Sequence, residues 1–338
     1  MKKMLNDLVS QGSMKRRSIL KAGLGVMSVP FVGTQALAQG AWPSKSIRVI
    51  VPFSAGGAAD TSARAICAAV GEVIGQSVIV ENRTGGNATI AAQAVLQAPV
   101  DGYTFLWDAA NQLTNPILLK NIAFDYKTSF VPVSLAVRVP QVLAVRENFP
   151  AKNLKEFVAY AKANPKKVTC GTPPSGGMGH LAIAMFQQVA GIELIHTPYR
   201  GGADAVRDLM GGQIDSTLLT LSTAIGAVQA GKARILGLTS LERAKTYPDI
   251  PTIAEQGYPG FDMDDWFGFF AAKGTPALAI DSLQAATTKA SKSPAVIKTI
   301  DSRGMILVVN TPAQFSSWLE TQRTALEKLI RTANITLG

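Results

Sequence analysis

The chain has few of the residues on which catalytic and metal sites are usually built. Its 338 residues include only two cysteines, Cys67 and Cys170, and two histidines, His180 and His196. It contains no HExxH sequence, no paired CxxC motif, no calcium-binding loop and no GxSxG nucleophile elbow. We therefore expect neither a metal nor a cofactor, and no enzymatic activity.

The net charge of +10 is concentrated near the N-terminus. Residues 1–38 hold six lysines and arginines against one aspartate, which accounts for half of that charge. The other basic residues are scattered, and no long basic tract with interleaved aromatic residues is present. We expect no nucleic-acid partner, because a mild positive field suits a small anionic molecule better.

The N-terminal segment has the pattern of a secretory signal peptide. Lys15–Lys21 is basic, Ala22–Val32 is mostly apolar, and Ala36-Leu37-Ala38 fits a small-residue cleavage site. The apolar run is shorter than the roughly 20 residues that a membrane-spanning helix needs. We expect cleavage near Ala38–Gln39 and a soluble mature protein outside the cytoplasm. The adjacent arginines approach a twin-arginine signal, and the general secretory route fits as well.

Length and pattern favour two α/β lobes. A chain of 338 residues exceeds one ordinary core, and strand and helix signals alternate through most of residues 39–338. Cys67 falls in a helix of one lobe, and Cys170 falls at a strand end in the other. We predict free, buried thiols, because a disulfide would fasten together lobes that need to move.

Two similar glycine loops stand where a strand meets a helix. The strand Ile47–Val51 leads into Gly56–Gly57 and then Asp60, and a second strand leads into Gly201–Gly202 and then Asp204. Glycine lets the backbone approach a ligand closely, and the unpaired amides of a first helical turn attract an anion. Either loop alone is also ordinary structural punctuation, but the pair suggests a carboxylate held between two lobes.

The order of strand, glycine loop and helix occurs four times, since residues 82–87 and 171–179 repeat it. In contrast, the polar stretch with Asn111, Asn115 and Pro116 predicts irregular structure. Near the C-terminus, Thr311–Gln314 is a capping box that opens a helix. One apolar stripe on that helix comprises Phe315, Trp318, Leu319, Leu326 and Leu329.

An ordered set of short motifs runs through the chain. The set comprises Val51-Pro52-Phe53 with Gly56–Gly57 and Asp60, Val80-Glu81-Asn82-Arg83, Asp101-Gly102-Tyr103-Thr104, Pro198–Tyr199, Gly211-Gly212-Gln213-Ile214-Asp215, Pro248-Asp249-Ile250-Pro251-Thr252 and Trp266-Phe267-Gly268. On these residues, nearly all of the mature chain resembles the extracytoplasmic solute receptors of tripartite tricarboxylate transport systems, the Bug family. Ala55, Arg200 and Asp264–Asp265 depart from the family pattern.

The resemblance implies a periplasmic location and the fold of a type II periplasmic binding protein, which has two α/β lobes, a ligand cleft between them and two crossing segments. We expect residues 1–38 to be the signal peptide, residues 39–137 and 263–338 to form lobe 1, and residues 138–262 to form lobe 2. The resemblance further implies a monomer that captures a small carboxylate, with dicarboxylates, aromatic ones included, as the first choice. The membrane permease subunits of the transporter are the expected partner.

The resemblance implies that loops of both lobes hold the ligand carboxylate. From lobe 1 we expect Phe53, Ser54, Ala55, Gly57, Asp60, Thr84, Asn87, Trp107, Asp108 and Asn111. From lobe 2 we expect Thr172, Ser175, Gly176, Gly177, Met178, Tyr199 and Arg200.

Several of these residues also have plain structural interpretations. Asp60 fits a first-turn acid that satisfies amides of its own helix. Trp107 fits either a stacking surface for an aromatic ligand or a lobe edge, and Arg200 fits either a carboxylate clamp or a solvated side chain. A lone histidine near a helix start, such as His180, is more often a structural hydrogen-bonding group than a catalytic one.

Two other functions stay open from the residues. A secreted hydrolase would use Ser175 or His180, although Ser175 follows Pro173–Pro174 and has no nucleophile elbow. A ligand-sensing receptor for a sensor kinase would keep the same binding fold and report the solute instead of delivering it.

Overall fold

The computed structural model describes residues 42–332 and 335–336. The predicted signal peptide and its cleavage site lie outside these residues. No helix in the described part of the chain is both long and apolar enough to cross a membrane.

The described chain alternates between strands and helices. Its strands are β1 (Ile47–Val51), β2 (Val78–Asn82), β3 (Thr104–Asp108), β4 (Phe130–Val139), β5 (Gln141–Arg146), β6 (Thr169–Thr172), β7 (Ile195–Pro198), β8 (Ser216–Thr220), β9 (Ala233–Leu238), β10 (Asp265–Ala272) and β11 (Ile306–Leu307). Its α-helices are α1 (Ala58–Ile74), α2 (Thr89–Leu96), α3 (Asn111–Leu118), α4 (Tyr126–Ser129), α5 (Leu154–Ala163), α6 (Met178–Ala190), α7 (Gly202–Met210), α8 (Leu221–Gln229), α9 (Ala277–Ala290), α10 (Pro294–Asp301) and α11 (Pro312–Thr332). One turn of 3₁₀ helix, Gly86–Ala88, precedes α2.

The strands form two separate mixed sheets, one in each lobe. The first has the order β11-β4-β10-β3-β1-β2, with β1 parallel to β2 and β3, and β10 antiparallel to β3 and β4. The second has the order β7-β6-β8-β5-β9, with β6 parallel to β7 and β8, and β5 antiparallel to β8 and β9. Two α/β lobes of this kind confirm the predicted fold class.

The chain crosses between the sheets twice. The first crossing is Pro140, which lies between β4 and β5, and the second runs from the end of β9 to the start of β10. Side chains tie the crossings together, because Gln141 Nε2 and Thr239 Oγ1 both donate to Met263 O, at 3.0 and 2.8 Å. The predicted lobe boundaries at 137/138 and 262/263 lie beside these crossings.

Apolar packing covers both faces of the first sheet. One face packs against α1, α9 and α10 around a cluster that contains Phe53, Trp107, Phe267 and Phe269. The cluster on the other face contains Phe270 and Phe315 and continues into the second lobe through Leu143 and Phe186. Cys67 and Cys170 are free and buried, as predicted.

The C-terminal helix α11 begins at the predicted capping box. Thr311 N donates to Gln314 Oε1 at 3.0 Å, and Gln314 N donates to Thr311 Oγ1 at 3.3 Å. The predicted stripe faces inward: Phe315, Leu319 and Leu326 are buried, and Trp318 and Leu329 pack partly buried beside them.

The prediction of irregular structure around Asn111–Pro116 is wrong, because these residues form α3. Two of its buried polar side chains find partners in the fold: Gln112 Nε2 donates to Asp108 Oδ2 at 3.0 Å, and Asn115 Nδ2 donates to Asn87 O at 2.7 Å and to Tyr126 Oη at 2.9 Å. Pro116 falls near the end of this short helix, where it removes a single backbone hydrogen bond. Tertiary contacts therefore outweigh the local signal.

Candidate ligand-binding site between the lobes

The loop after β1 directs the start of α1 into the space between the lobes. Gly56 takes a positive φ of 82°, which favours glycine, and Gly57 is the extended N-cap residue of α1. Thr61 N is the first amide of the helix that bonds back along the chain, to Gly57 O at 2.9 Å. The amides before it are free for other acceptors, and Ala58 N donates across the lobes to Thr223 Oγ1 at 3.0 Å.

Asp60 lies in the first turn of α1 but serves its own lobe. Its Oδ2 accepts from Gly56 N at 2.9 Å, and its Oδ1 accepts from Arg64 Nε and Asn82 Nδ2, both at 2.9 Å. Burial opposes ionisation, but these hydrogen bonds outweigh it and hold the pKa of Asp60 below its usual value. Asp60 therefore fastens the loop before α1 and two side chains of its own lobe, and it does not cap the amides of the helix as the structural interpretation supposed.

The second double-glycine loop meets the first across the cleft. Gly201 is the N-cap residue of α7, and Asp204 in the first turn accepts from Ser54 Oγ of lobe 1 at 2.6 Å. The approach is close enough that a Cβ atom at Gly201 would lie 2.7 Å from Ser54 N and 2.8 Å from Ser54 Cβ. The two loops that the sequence singled out are thus in direct contact.

A small cavity of about 20 Å³ lies where the loops meet. Lobe 1 lines it with Phe53, Ser54, Gly57, Ala58, Ala59, Asp265 and Phe267. Lobe 2 lines it with Pro173, Gly202, Thr220 and Thr223. A cavity of this volume has room for about one water molecule. The lobes must therefore move apart to admit any organic ligand.

A wider groove of about 350 Å³ is lined by the loop that follows β2 in lobe 1 and by loops of lobe 2. Gly85, Gly86, Asn87 and Ala88 contribute one wall, and all four have positive φ angles. Pro174, Ser175, Pro198, Tyr199 and Arg200 contribute the other wall. Non-glycine residues with positive φ, such as Ala88 at 74°, are uncommon and recur at ligand-binding sites. Thr84 is half-buried just before this run.

Tyr199 and Arg200 differ in how far they are engaged. The Tyr199 hydroxyl donates to Asp208 Oδ2 at 3.0 Å, and burial together with this carboxylate raises the pKa of Tyr199 to about 12. Arg200 is exposed at the groove. The exposed guanidinium can turn either to solvent or to an anion in the groove.

The three predicted residues at the end of β3 are fully buried. Trp107 packs in the lobe core, stacked on Phe267 with ring centroids 6.5 Å apart, and Phe267 stands between it and the cavity. Asp108 accepts from Ala109 N and Gln112 Nε2, and burial raises its pKa to about 7. Asn111 has no hydrogen-bond partner for either amide atom among the described residues, and its Oδ1 would lie 3.7 Å from a Cβ atom at Gly177 of lobe 2.

The loop 172–178 of lobe 2 is built around the two histidines. His196 Nε2 pairs with Thr172 Oγ1 at 2.7 Å, and His180 Nδ1 accepts from Gly176 N at 3.1 Å. The imidazole rings stack with centroids 4.1 Å apart. Burial lowers the pKa of both rings, that of His196 to about 4 with a contribution from His180. The rings are therefore neutral at pH 7 and hold the loop together.

The remaining predicted residues divide between the interface and the flanking loops. Gly176 O accepts from Thr114 Oγ1 of lobe 1, and Gly177 is the N-cap residue of α6. Met178 is buried at the first position of that helix, and Ala55 is exposed beside the cavity-lining Ser54. The described residues show no hydrogen bond between Ser175 and His180, and no group of three or more His, Cys, Asp or Glu side chains that could hold a metal ion.

Sequence reasoning missed eight of the eleven residues that line the cavity. Ala58, Ala59, Pro173 and Gly202 lie in or beside the predicted glycine loops, whereas Thr220, Thr223, Asp265 and Phe267 do not. Thr220 and Thr223 lie at the β8–α8 junction, where their hydroxyls are 2.9 Å apart. The hydroxyl-rich sequence Thr220-Leu221-Ser222-Thr223 between a strand and a helix was the available signal. Asp265 and Phe267 come from β10, and the departure at Asp264–Asp265 was the available signal there.

Comparisons with known proteins agree with this fold. The family model described as "Tripartite tricarboxylate transporter family receptor" matches residues 62–335. Protein BugT of Bordetella pertussis is 32% identical, and the alignment covers 84% of this chain and 88% of that protein. A Pseudomonas sp. strain P51 protein, named for the tcbD-tcbE intergenic region, is 34% identical, with 96% and 95% covered.

Solved structures give the same result. The periplasmic binding protein BugD superposes with a TM-score of 0.83 at 32% identity, over 87% of this chain and 99% of that chain. An R. palustris protein solved with adipate gives a TM-score of 0.85 at 32% identity, over 87% and 99%. MatC from Rhodopseudomonas palustris, solved with malate bound, gives 0.81 at 27% identity, over 86% and 100%.

Two lobes with a ligand cleft between them define a periplasmic solute-binding protein. The family that this chain matches and its structural neighbours are receptors and not enzymes. The hydrolase alternative is therefore wrong. The chain belongs to the tripartite tricarboxylate transporter receptor family, the Bug family.

Proposed function

We propose that this protein captures a small carboxylate between its lobes and delivers it to the permease of a tripartite tricarboxylate transporter. Dicarboxylates, aromatic ones included, are the first class to test. One observation carries the proposal: the amide-bearing first turn of α1 lines the interlobe cavity, together with the hydroxyls of Ser54, Thr220 and Thr223. Backbone amides at a helix start and small hydroxyls are the groups that hold a carboxylate.

The proposal extends to the whole binding cycle. Opening at the two crossings would expose the residues predicted from both lobes, and closure would bring Ser54 and Thr223 back to their partners in the opposite lobe. The structures solved with adipate and malate support a carboxylate ligand by similarity. We further propose export through the signal peptide 1–38, cleavage near Ala38–Gln39, and a monomeric mature protein in the periplasm.

The test is a ligand panel on the mature protein. Thermal unfolding with succinate, adipate, malate and terephthalate, followed by calorimetry, should reveal at least one ligand that raises the melting temperature by about 5 °C at a hundredfold excess over its Kd. The neutral diamides of the same acids should give no shift in melting temperature, because they lack the negative charge that the backbone N–H groups at the start of α1 attract. If no carboxylate stabilises the protein, the proposal is wrong.

A matched pair of serine variants places the site. Ser54→Ala removes a cavity hydroxyl and should weaken binding about three- to tenfold, the worth of one hydrogen bond. Ser44→Ala removes an exposed hydroxyl that pairs with Tyr103 elsewhere in lobe 1, and should leave the affinity unchanged. Equal effects of both variants would move the site away from the cavity.

Delivery and sensing are separated in cells. Deleting a neighbouring permease gene should abolish uptake of the ligand if the protein serves a transporter. Unchanged uptake, combined with a transcriptional response that needs this protein, would favour a sensing role.

A further inference from the structure

The interlobe cavity contains one ionisable side chain among its described lining residues, and that side chain is an acid. Asp265 lines the cavity beside Phe267, whereas the other lining side chains are apolar, glycine or hydroxyl-bearing. An ionised carboxyl group in this cleft repels a ligand carboxylate that is held at the start of α1. Asp265 therefore needs its own explanation.

The alternation of β10 separates Asp265 from its neighbour Asp264. Phe267 and Phe269 belong to the apolar cluster that contains Phe53, whereas Trp266 and Phe270 belong to the cluster that contains Phe315. Successive side chains of a strand point to opposite faces, so Asp265 lies on the cavity face and Asp264, just before β10, on the face of α11. Both acids line a groove beside α11, but of the two only Asp265 also lines the interlobe cavity.

Of the two adjacent acids, only Asp264 has a cationic partner among the described residues. Its Oδ2 accepts from Arg138 Nη2 at 2.7 Å, whereas Asp265 accepts a hydrogen bond from the backbone N–H of Trp266, at 2.8 Å, and forms no ion pair in the described part of the chain. Asp265 is 8% exposed. Burial, with contributions from Asp264 and Asp108, raises the pKa of Asp265 to about 7. A buried carboxylate without a cation is costly, and a ligand can supply that cation.

We propose that Asp265 makes this site selective for carboxylates that also carry a protonated amine, such as amino acids and aminodicarboxylates. The inference rests on the proposed function and narrows its ligand class. The first turn of α1 takes the carboxylate, and Asp265 takes the ammonium group in a charge-assisted hydrogen bond. A plain dicarboxylate brings a second negative charge toward Asp265 and binds more weakly, because like charges repel in a desolvated site.

Calorimetry with ligand pairs that differ only in the amine tests the inference. Suitable pairs are succinate with aspartate, glutarate with glutamate, and 3-phenylpropionate with phenylalanine. In at least one pair we expect the amine-bearing member to bind ten times more tightly or better. If plain dicarboxylates bind equally well or better in every pair that binds, the inference is overturned and the proposed function stands. If no carboxylate binds, both fall.

Two variants assign the preference to Asp265. Asp265→Asn keeps the size of the side chain and removes its charge. The two members of each ligand pair should then bind with about equal affinity. Asp264→Asn makes the same change on the opposite face and should keep the preference. A preference that persists in Asp265→Asn overturns the assignment. If that variant does not fold, Asp265→Ser takes its place.

The pH dependence of wild-type binding provides a second readout that needs no variant. The charged groups near Asp265 are Asp108 on β3, Asp264 immediately before β10, and Arg138 on β4, which pairs with Asp264. An ammonium ligand binds the ionised form of Asp265, so its affinity should rise about tenfold between pH 6 and pH 8. A plain dicarboxylate should show the opposite trend. A flat profile for the amine-bearing ligand contradicts the inference.

Discussion

The two double-glycine loops share a local pattern and differ in what their acidic residues do. In each loop the glycine pair leads into a helix whose third residue is aspartate, Asp60 in α1 and Asp204 in α7. Asp60 bonds inside its own lobe to Gly56, Arg64 and Asn82, whereas Asp204 accepts from Ser54 of the other lobe. One loop is anchored and the other reaches across the cleft. The neighbours of a motif, more than the motif itself, decide its role.

The largest expected effect comes from adding one methyl group to each loop. At Gly201 a Cβ atom would lie 2.7 Å from Ser54 N, a backbone atom that cannot turn aside, whereas at Gly57 the nearest atom would be 3.5 Å away. Overpacking costs ~1–3 kcal/mol, so Gly201→Ala should weaken ligand binding about 10- to 100-fold by blocking closure. Gly57→Ala should stay within about threefold of wild type.

Calorimetry measures the two affinities, and small-angle scattering measures whether the lobes close. Both glycines have φ values that alanine tolerates, so a difference between the variants reports the contact and not backbone strain. If Gly201→Ala binds and closes like wild type, the two loops do not meet in solution as they do in this structure.

The next effect separates the two aspartates by stability. Asp60→Asn should lower the free energy of unfolding by about 1–2 kcal/mol, because it breaks a buried charge-assisted network. Asp204→Asn should change it by less than about 0.5 kcal/mol, because the asparagine oxygen can still accept from Ser54 Oγ and the lost ion pair with Arg207 is exposed. Urea unfolding at pH 7 measures both values. A larger loss for Asp204→Asn would reverse the assignment of the anchored loop.

Asp60 also makes the stability depend on pH, in a direction that follows from its lowered pKa. The pKa of Asp60 lies below its unfolded value, so its stabilisation is present above about pH 4 and is lost as the pH falls through the folded pKa. The stability difference between wild type and Asp60→Asn should therefore shrink below pH 4. A difference that grows toward low pH would contradict the hydrogen-bond pattern.

The smallest effect concerns the cap that crosses between the lobes. Thr223→Val keeps the shape of the side chain but removes the hydroxyl that accepts from Ala58 N, and it should cost about 0.5–1 kcal/mol of stability in the ligand-free protein. Thr223→Ser retains the hydroxyl and should cost less. Thermal unfolding measures both variants, and equal losses would show that the hydroxyl does not cap α1.

Much of the fold was predictable because it follows from local chemistry. The strand Ile47–Val51 has its predicted bounds, and α11 begins at the predicted capping box Thr311–Gln314, since an apolar run and a capping box are complete local signals. The helix α3 was not predictable, because its buried Gln112 and Asn115 side chains bond to residues outside the helix, namely Asp108, Asn87 and Tyr126.

The site divides in the same way. The glycine loops at Gly57 and Gly201 carry their own backbone signal, and both lie at the interface. The contributions of Thr220, Thr223 and Asp265 depend on which strands end beside those loops, and sequence spacing does not encode that.

The sequence by itself determined the alternating elements, the helix caps, the two free cysteines and the family, because each depends on residues close together in the chain or on an ordered set of motifs. Only the tertiary structure decided which acid anchors α1, which acid bridges the lobes, and which of two adjacent aspartates faces the cavity. Those outcomes depend on partners 150 and 126 residues away in the chain, as for Ser54 with Asp204 and Arg138 with Asp264. A hydrogen bond requires a distance of about 3 Å, which only the folded chain sets.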